Sequence, residues 1–209
     1  MTGPTSQTAA VFVDRDGTLI REVGYLYCVE QVEVLPRVPE AIQLLRQQGL
    51  KVAIITNQSG VARGLLREEV LEQIHHELKS QLARGGAFLD GIYYCPHHPT
   101  EGLELYRVSC ECRKPNVGLV KLAEAELNLN LGQSYVVGDQ ERDMELAARI
   151  GAKGILIKDA RPKTGDRGRE SDDKTNAPVL GLPSPVLVVQ DLWEASQWII
   201  QDHRAKRKD

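Results

Sequence analysis

The sequence predicts an α/β sandwich, in which helices cover both faces of a mainly parallel sheet. Three observations lead to this prediction. Short apolar runs alternate along the chain with longer runs of helical period. Most of the apolar runs are uniformly hydrophobic, which is typical of strands buried on both faces. The length of 209 residues also suits one domain with enough interior to bury a core.

Six apolar runs are strand candidates. The first ends where Asp14 follows three hydrophobic residues, and the others have similar composition. Right-handed crossovers through helices would join them into a parallel sheet. The six runs are Ala10–Val13, Val52–Thr56, Ile92–Tyr94, Tyr135–Gly138, Gly154–Ile157 and Val186–Val189.

The helix candidates lie between these runs. Gly49 follows the first and Gly151 follows the fourth, at positions where glycine commonly ends a helix. We expect the adjacent histidines His75 and His76 of the second helix to face solvent. The candidates are Pro39–Gln48, Arg67–Ala83, a stretch after Asn116, Glu141–Ile150 and a last helix with Trp193 and Trp198.

We expect a single domain over residues 1–209. Two segments interrupt the alternation. Residues 94–115 are rich in cysteine, histidine and proline, and residues 161–185 are rich in glycine, proline and charge and predict a loop. Residues 1–8 and 202–209 are polar or charged, and we expect both ends to be flexible.

Composition favours a cytoplasmic protein that acts on small molecules. The formal net charge of -3 and a pI near 6.0 disfavour charge-driven nucleic-acid binding. No apolar run reaches the roughly 20 residues that cross a bilayer, and the polar start "MTGPTSQTAA" does not resemble a secretion signal. In the cytoplasm, the four cysteines would be thiols or metal ligands. We expect a monomer.

Polar residues follow three of the predicted strands and precede one helix. Because ligands bind beyond the carboxyl ends of the strands in open α/β sheets, we expect these residues to converge on one crevice. Together they could hold a divalent cation and a phosphate. They are Asp14 and Asp16; Thr56, Asn57, Gln58 and Ser59; Arg113 and Lys114; and Asp139 and Asp143.

Each residue type has a role in phosphate-ester hydrolysis. Mg²⁺ prefers oxygen ligands, which Asp14, Asp139 and the backbone carbonyl of Asp16 would supply. Asp14 could attack phosphorus and form an aspartyl-phosphate, while Asp16 exchanges a proton with the leaving group and then with water. Thr56 and Lys114 would bind the phosphoryl oxygens. A lone D-x-D is usually only a solvated loop, but this ordered combination is rarely coincidental.

The motifs "DRDGT", "ITNQSG", "CRKP" and "VGDQERD" resemble, in order, the four motifs of the haloacid dehalogenase superfamily of phosphohydrolases. The resemblance implies a Rossmann-like three-layer sandwich, a Mg²⁺ ion and an aspartyl-phosphate intermediate. It implies the roles given above for Asp14, Asp16, Thr56, Lys114 and Asp139. Asp143 would support the metal ligands without binding the ion itself.

A narrower resemblance, carried by "GY", "TNQSGVARG", "DGIYYCPHHP" and "CECRKPNVG", is to heptose-bisphosphate and histidinol-phosphate phosphatases. It implies no large cap domain, a short zinc loop, and a phosphorylated sugar as substrate. The leading substrate is a heptose 1,7-bisphosphate, cleaved at its 7-phosphate. Histidinol phosphate or another small monoester is the alternative. Expected substrate contacts are Arg15, Glu22, Val23, Gly24, Tyr25, Asn57, Gln58, Ser59, Arg113 and Gln140.

Gln140 departs from the pattern of the narrower group. The heptose-bisphosphate phosphatases carry a lysine after the metal-binding aspartate, where this chain has Gln140 after Asp139. An amide in place of a cation weakens any hold on a second phosphate.

Residues 94–115 contain a candidate zinc site. Cys95, His97, Cys110 and Cys112 provide the Cys₃His set that closes a tetrahedral structural site. On spacing alone, reduced surface cysteines are the alternative, and either His97 or His98 could be the bystander. A different class of function, a non-enzymatic zinc module for nucleic acid, is disfavoured by the acidic balance and by the lack of stacking aromatics.

Overall fold

The computed structural model describes residues 7–158 and 187–206. Within them, six parallel strands form one sheet in the order β3-β2-β1-β4-β5-β6. The predicted α/β class and parallel sheet are therefore confirmed. The strands are β1 (Ala10–Val13), β2 (Lys51–Asn57), β3 (Gly91–Cys95), β4 (Tyr135–Gly138), β5 (Lys153–Ile157) and β6 (Leu187–Val189).

Helices cover both faces of the sheet and produce two hydrophobic cores. Alternate β1 residues enter opposite cores: Val11 and Val13 pack on one side, and Ala10 and Phe12 on the other. This explains why β1 is uniformly apolar, because its residues are buried on both faces of the sheet. The first core includes residues of α1 (Val38–Gln47), α2 (Glu68–Arg84) and α5 (Leu192–Lys206), and the second includes residues of α3 (Gly118–Leu127) and α4 (Glu141–Arg149).

The glycine signals at helix ends match the backbone. Gly49 follows α1 with a φ of 81°, and Gly151 follows α4 with a φ of 71°. Both lie in the left-handed region that glycine adopts without a steric cost. None of the helices in the described parts of the chain is long and apolar enough to cross a membrane.

Helix α5 corrects one expectation for the chain ends. We expected residues 202–209 to be flexible, but the helix continues through Lys206. Asp202 accepts a hydrogen bond from the Tyr135 hydroxyl at 2.7 Å and pairs with Lys153 and Lys206. These partners on β4, β5 and the same helix hold a segment whose charge suggested fraying. Thr8, at the other end, exchanges backbone hydrogen bonds with Asn128 and Asn130. The predicted loop 161–185 lies outside the described residues.

Substitution of Asp202 tests whether its hydrogen bond with Tyr135 stabilises the fold. Asp202→Ala should lower the free energy of unfolding by about 1–3 kcal/mol, because the Tyr135 hydroxyl loses its acceptor. Asp202→Asn should lower it less, since an amide oxygen can still accept from Tyr135. Urea denaturation measures both changes. An Asp202→Ala protein as stable as the wild type would show that the contacts of Asp202 do not contribute to the free energy of unfolding.

Candidate active site

The carboxyl ends of β1, β2 and β4 bring the predicted catalytic residues together. Asp14 follows β1, and its backbone N–H donates to the Val137 carbonyl at 2.9 Å, which fixes its position beside β4. Gly17 then turns the chain with a φ of 77°. A Cβ on Gly17 would lie 2.6 Å from Asp139 Oδ2, so glycine is required for the close approach of this loop to Asp139.

Three carboxylates form a cluster that fits a hard divalent cation. Asp14, Asp139 and Asp143 each offer an oxygen, and these atoms all lie within 4.8 Å of one another. The Lys114 ammonium lies 2.9 Å from Asp14 Oδ1 and 2.7 Å from Asp143 Oδ1. Three carboxylates against one ammonium leave an excess of negative charge, and oxygen donors are the ligands that Mg²⁺ prefers. The Asp16 carboxylate is outside this cluster.

Lys114 is buried and remains charged. Burial opposes the charge, but attraction to Asp14 and Asp143 outweighs it and raises the pKa of Lys114 above its ordinary value. Burial also raises the pKa of the Asp143 carboxyl to about 6, and the Lys114 ammonium opposes that rise. The Asn57 side chain makes two hydrogen bonds with the Lys114 backbone: it accepts from the N–H at 2.9 Å and donates to the carbonyl at 3.1 Å.

Asp16 is held by a buried guanidinium group. Nε and Nη2 of Arg15 contact both Asp16 carboxylate oxygens at 2.9–3.2 Å. Gln58 joins the pair: its Oε1 accepts from Arg15 Nη2 at 2.7 Å, and its Nε2 donates to Asp16 Oδ2 at 2.9 Å. The same Nε2 donates to Thr56 Oγ1 at 2.9 Å. These contacts link the acid predicted to move protons to the hydroxyl predicted to bind phosphate.

The four predicted zinc ligands also converge. Cys112 Sγ lies 3.1 Å from Cys110 Sγ, 3.2 Å from Cys95 Sγ and 3.3 Å from His97 Nδ1. Zinc–sulfur bonds of about 2.3 Å would place tetrahedral donors about 3.7 Å apart, so the observed set is close to the required size. Burial, then the neighbouring Cys112, raises the pKa of the Cys95 thiol, an effect that a bound cation would oppose.

His98 has a separate, structural role. Its Nδ1 accepts from the backbone N–H of Glu101 at 2.9 Å and of Thr100 at 3.3 Å, and the residue is 1% exposed. His97, whose Nδ1 faces the thiols, is therefore the histidine of the cluster.

The amino-acid sequence matches the model of the haloacid dehalogenase-like hydrolase family over residues 8–151, and a related HAD-hydrolase-like model over residues 111–195. The chain belongs to the haloacid dehalogenase-like hydrolases. The D-glycero-beta-D-manno-heptose-1,7-bisphosphate 7-phosphatase of Yersinia pestis is 38% identical over 184 residues, which cover 87% of this chain and 97% of the relative. The protein of the same name from Pasteurella multocida (strain Pm70) is 42% identical over 166 residues, or 78% and 89% of the two chains.

A solved structure supports the same relationship. The D,D-heptose 1,7-bisphosphate phosphatase from B. bronchiseptica, complexed with magnesium and phosphate, aligns with a TM-score of 0.73 and 30% identity. The alignment covers 93% of this chain and 99% of that chain. The predicted family, fold and enzyme class, a phosphoric monoester hydrolase, are confirmed. The alternative of a non-enzymatic nucleic-acid module is thereby excluded.

The hydrolase holds three of its predicted substrate residues in internal contacts. The Arg15 side chain is 1% exposed and binds Asp16, so it cannot reach a substrate, and this corrects the expectation. The side chains of Asn57 and Gln58 bind Lys114 and the Arg15–Asp16 pair, respectively. These residues position side chains that are predicted to be catalytic, a role that strand-end placement alone does not distinguish from substrate binding.

Among the other predicted substrate residues, Gln140 contacts the carboxylate cluster and Arg113 directly precedes Lys114. Glu22 accepts from the Gly24 N–H at 2.6 Å within the loop 22–25. Arg113 donates to the His97 carbonyl at 3.1 Å, and Gln140 Nε2 donates to Asp139 Oδ2 at 3.0 Å. Substrate contacts by Glu22, Val23, Gly24, Tyr25, Ser59, Arg113 and Gln140 stay predictions.

His75 was missed by the sequence analysis. We expected it to face solvent, but it is 7% exposed, and its Nε2 lies 3.3 Å from Arg15 Nη1. The signal was present in the sequence, because Leu71, His75, Leu78 and Leu82 follow the period of a buried helix face. Burial and then the Arg15 cation lower the pKa of His75 from 6.5 to about 3.

His75 should make the stability of the hydrolase depend on pH. Between pH 6.5 and 3 the unfolded chain binds a proton that the folded chain excludes, so the free energy of unfolding falls as the pH falls. Relative to His75→Gln, the wild type should lose about 1.5 kcal/mol between pH 6.5 and pH 5.

Urea denaturation at several pH values measures this difference. His76→Gln makes the same chemical change at the exposed neighbouring position and is the matched control. If the unfolding free energies of the wild type and His75→Gln changed in parallel below pH 6.5, His75 would not be excluding a proton.

Proposed function

We propose that this chain is a Mg²⁺-dependent phosphatase that removes the 7-phosphate from D-glycero-D-manno-heptose 1,7-bisphosphate. The observation that carries the proposal is the carboxylate cluster around Lys114 at the carboxyl ends of the parallel strands. The names of the relatives from Yersinia pestis and Pasteurella multocida support the substrate.

Asp14 is the proposed nucleophile. Lys114 Nζ and the Arg15 N–H both contact Oδ1, so among these contacts Oδ2 is left to attack phosphorus. The new Oδ2–phosphorus bond replaces the bond from phosphorus to the sugar oxygen, which leaves with a proton from Asp16. Water then attacks the phosphorus of the aspartyl-phosphate and gives its proton to Asp16. This second step releases inorganic phosphate and regenerates Asp14.

Two residues would hold the phosphoryl oxygens while Asp14 attacks. The Lys114 ammonium is buried, where its charge is poorly screened by water. Thr56 Oγ1 already accepts from Gln58, so its own hydrogen can be donated to a phosphoryl oxygen. Asp14, Asp139 and the Asp16 carbonyl would hold Mg²⁺, with Asp143 beside them. When bound, the cation supplies charge neutralisation of the phosphoryl group.

Histidinol phosphate or another small phosphate monoester is the second candidate substrate. One observation favours it: Gln140, whose amide donates to Asp139, provides no positive charge for a second phosphate. A bisphosphate and a monophosphate should therefore be compared directly.

We further propose that Cys95, His97, Cys110 and Cys112 bind zinc. The segment that carries them has few buried apolar side chains, and a structural zinc site can supply about 10–16 kcal/mol of apparent binding energy. Arg113 and Lys114 directly follow Cys112, so a bound zinc ion would also restrict the positions of these two residues in the active site. Reduced thiols in such a site fit a cytoplasmic location.

A phosphate-release screen tests the function. We expect heptose 1,7-bisphosphate to be the best substrate among sugar phosphates, sugar bisphosphates and histidinol phosphate. Asp14→Asn should lower kcat by about 10⁴-fold or more, because an amide cannot form the aspartyl-phosphate. Asp191→Asn, an exposed change at the start of α5, should keep wild-type rates. An Asp14→Asn enzyme with normal kcat would refute the nucleophile.

Removal of zinc tests the loop. Chelation followed by restoration of Mg²⁺ should raise KM about tenfold, equivalent to ~1.4 kcal/mol of binding, because Arg113 loses its anchor at the His97 carbonyl. Cys112→Ser should have the same effect, and Cys28→Ser, outside the cluster, should not. Elemental analysis gives the zinc content. A zinc-free protein with an unchanged KM would contradict the link between the loop and the active site.

A further inference from the structure

We propose that His75 is a positioning residue for the reaction, holding the Asp16 carboxylate through Arg15 in the orientation needed for proton transfer. This inference rests on the acid–base role proposed for Asp16. His75 lies on α2, outside the four sequence motifs that carry the site, and the proposed mechanism does not use it.

The Arg15 guanidinium determines how the Asp16 carboxylate lies. Its Nε and Nη2 contact both carboxylate oxygens, and two such contacts fix the plane of the carboxylate as well as its distance. The Arg15 side chain is 1% exposed and that of Asp16 is 22% exposed. The guanidinium is therefore internal, while the carboxylate that it binds is partly exposed to solvent.

Gln58 and His75 accept from two further N–H groups of this guanidinium. Gln58 Oε1 accepts from Nη2 at 2.7 Å, and His75 Nε2 lies 3.3 Å from Nη1. A buried guanidinium needs acceptors for its five N–H groups, and Nη1 is directed away from Asp16. With its proton on Nδ1, a neutral His75 ring accepts at Nε2, and the low pKa of His75 keeps the ring neutral.

His75 is itself fixed by the fold. It belongs to the buried face of α2, and its ring lies 5.5 Å from the Tyr94 ring. Tyr94 in turn donates from its hydroxyl to Glu68 Oε2 at 2.7 Å. Helix α2 thus fixes His75, His75 contacts Arg15, and Arg15 orients the Asp16 carboxylate that exchanges the proton.

The test separates proton transfer from general damage by varying the leaving group. An alkoxide such as that of a sugar phosphate needs a proton to leave, whereas nitrophenolate leaves without one. The value of kcat/KM reports events up to phosphoryl transfer, so it isolates the step in which Asp16 acts as an acid. The two substrates are heptose 1,7-bisphosphate, an alkyl phosphate, and p-nitrophenyl phosphate. His75→Leu should lower kcat/KM about tenfold for the alkyl phosphate and change it less than about twofold for p-nitrophenyl phosphate.

Conservative variants and controls sharpen the result. His75→Gln offers an amide oxygen to Arg15 and should restore most of the lost kcat/KM. His76→Leu, on the exposed side of the same helix, should match the wild type on both substrates. Arg15→Lys keeps the positive charge but loses the bidentate contact with Asp16. It should show the same selective loss of kcat/KM for the alkyl phosphate. If His75→Leu does not fold, His75→Phe, which fills the space with a ring but offers Arg15 no acceptor, replaces it with the same expected result.

Asp16→Asn distinguishes failure of this inference from failure of the proposed function. It should lower kcat/KM for the alkyl phosphate by about 10²–10⁴-fold, selectively. Selective loss in Asp16→Asn with equal loss on both substrates, or no loss, in folded His75→Leu would overturn the positioning role alone. Absence of selective loss in Asp16→Asn would overturn the acid–base role and, with it, this inference.

Discussion

The active site depends on one buried ammonium group. Asp14, Asp139 and Asp143 place three carboxylates within 4.8 Å of one another, and their mutual repulsion would oppose folding without a compensating cation. Lys114 supplies that charge from a side chain only 2% exposed. Removing one partner of such a buried set costs more stability than the set contributes, because the remaining charges are left uncompensated. The geometry of the candidate active site and the stability of this edge of the sheet therefore depend on the same residue.

Lys114 lies in a loop that packs against the second hydrophobic core only through partly buried residues such as Cys110 and Cys112. Asn57, at the end of β2, clasps its backbone from one side. On the other side, only Arg113 separates Lys114 from Cys112, and the Gln58 N–H donates to the Cys95 carbonyl at 2.7 Å. The Cys/His cluster and the carboxylate cluster are thus joined through short covalent and hydrogen-bonded links. A metal at the first cluster would order the second without touching the substrate.

The sequence predicted the elements and the convergence of the site, but not the direction of every side chain. The uniformly apolar runs placed all six strands, and the rule that strand ends meet at one edge brought Asp14, Thr56, Lys114 and Asp139 together. The same rule placed Arg15, Asn57 and Gln58 near the substrate, and we therefore predicted that they contact it. Position along the chain does not specify the direction in which a side chain points. The charged end of α5 was misjudged because its partners, Tyr135 and Lys153, are distant in sequence.

The order of residues in "DRD" places a cation, Arg15, between the two acids that we propose to be catalytic. The side chains of Asp14 and Asp16 are 12% and 22% exposed, whereas that of Arg15 is 1% exposed, so successive side chains alternate between the partly exposed side and the interior. An apolar residue at position 15 would avoid the desolvation of a guanidinium, but it would leave Asp16 without its planar clamp. The buried charge then requires further acceptors, and Gln58 and His75 provide them. The polar residues beneath the site follow from the need to hold one carboxylate in a fixed orientation.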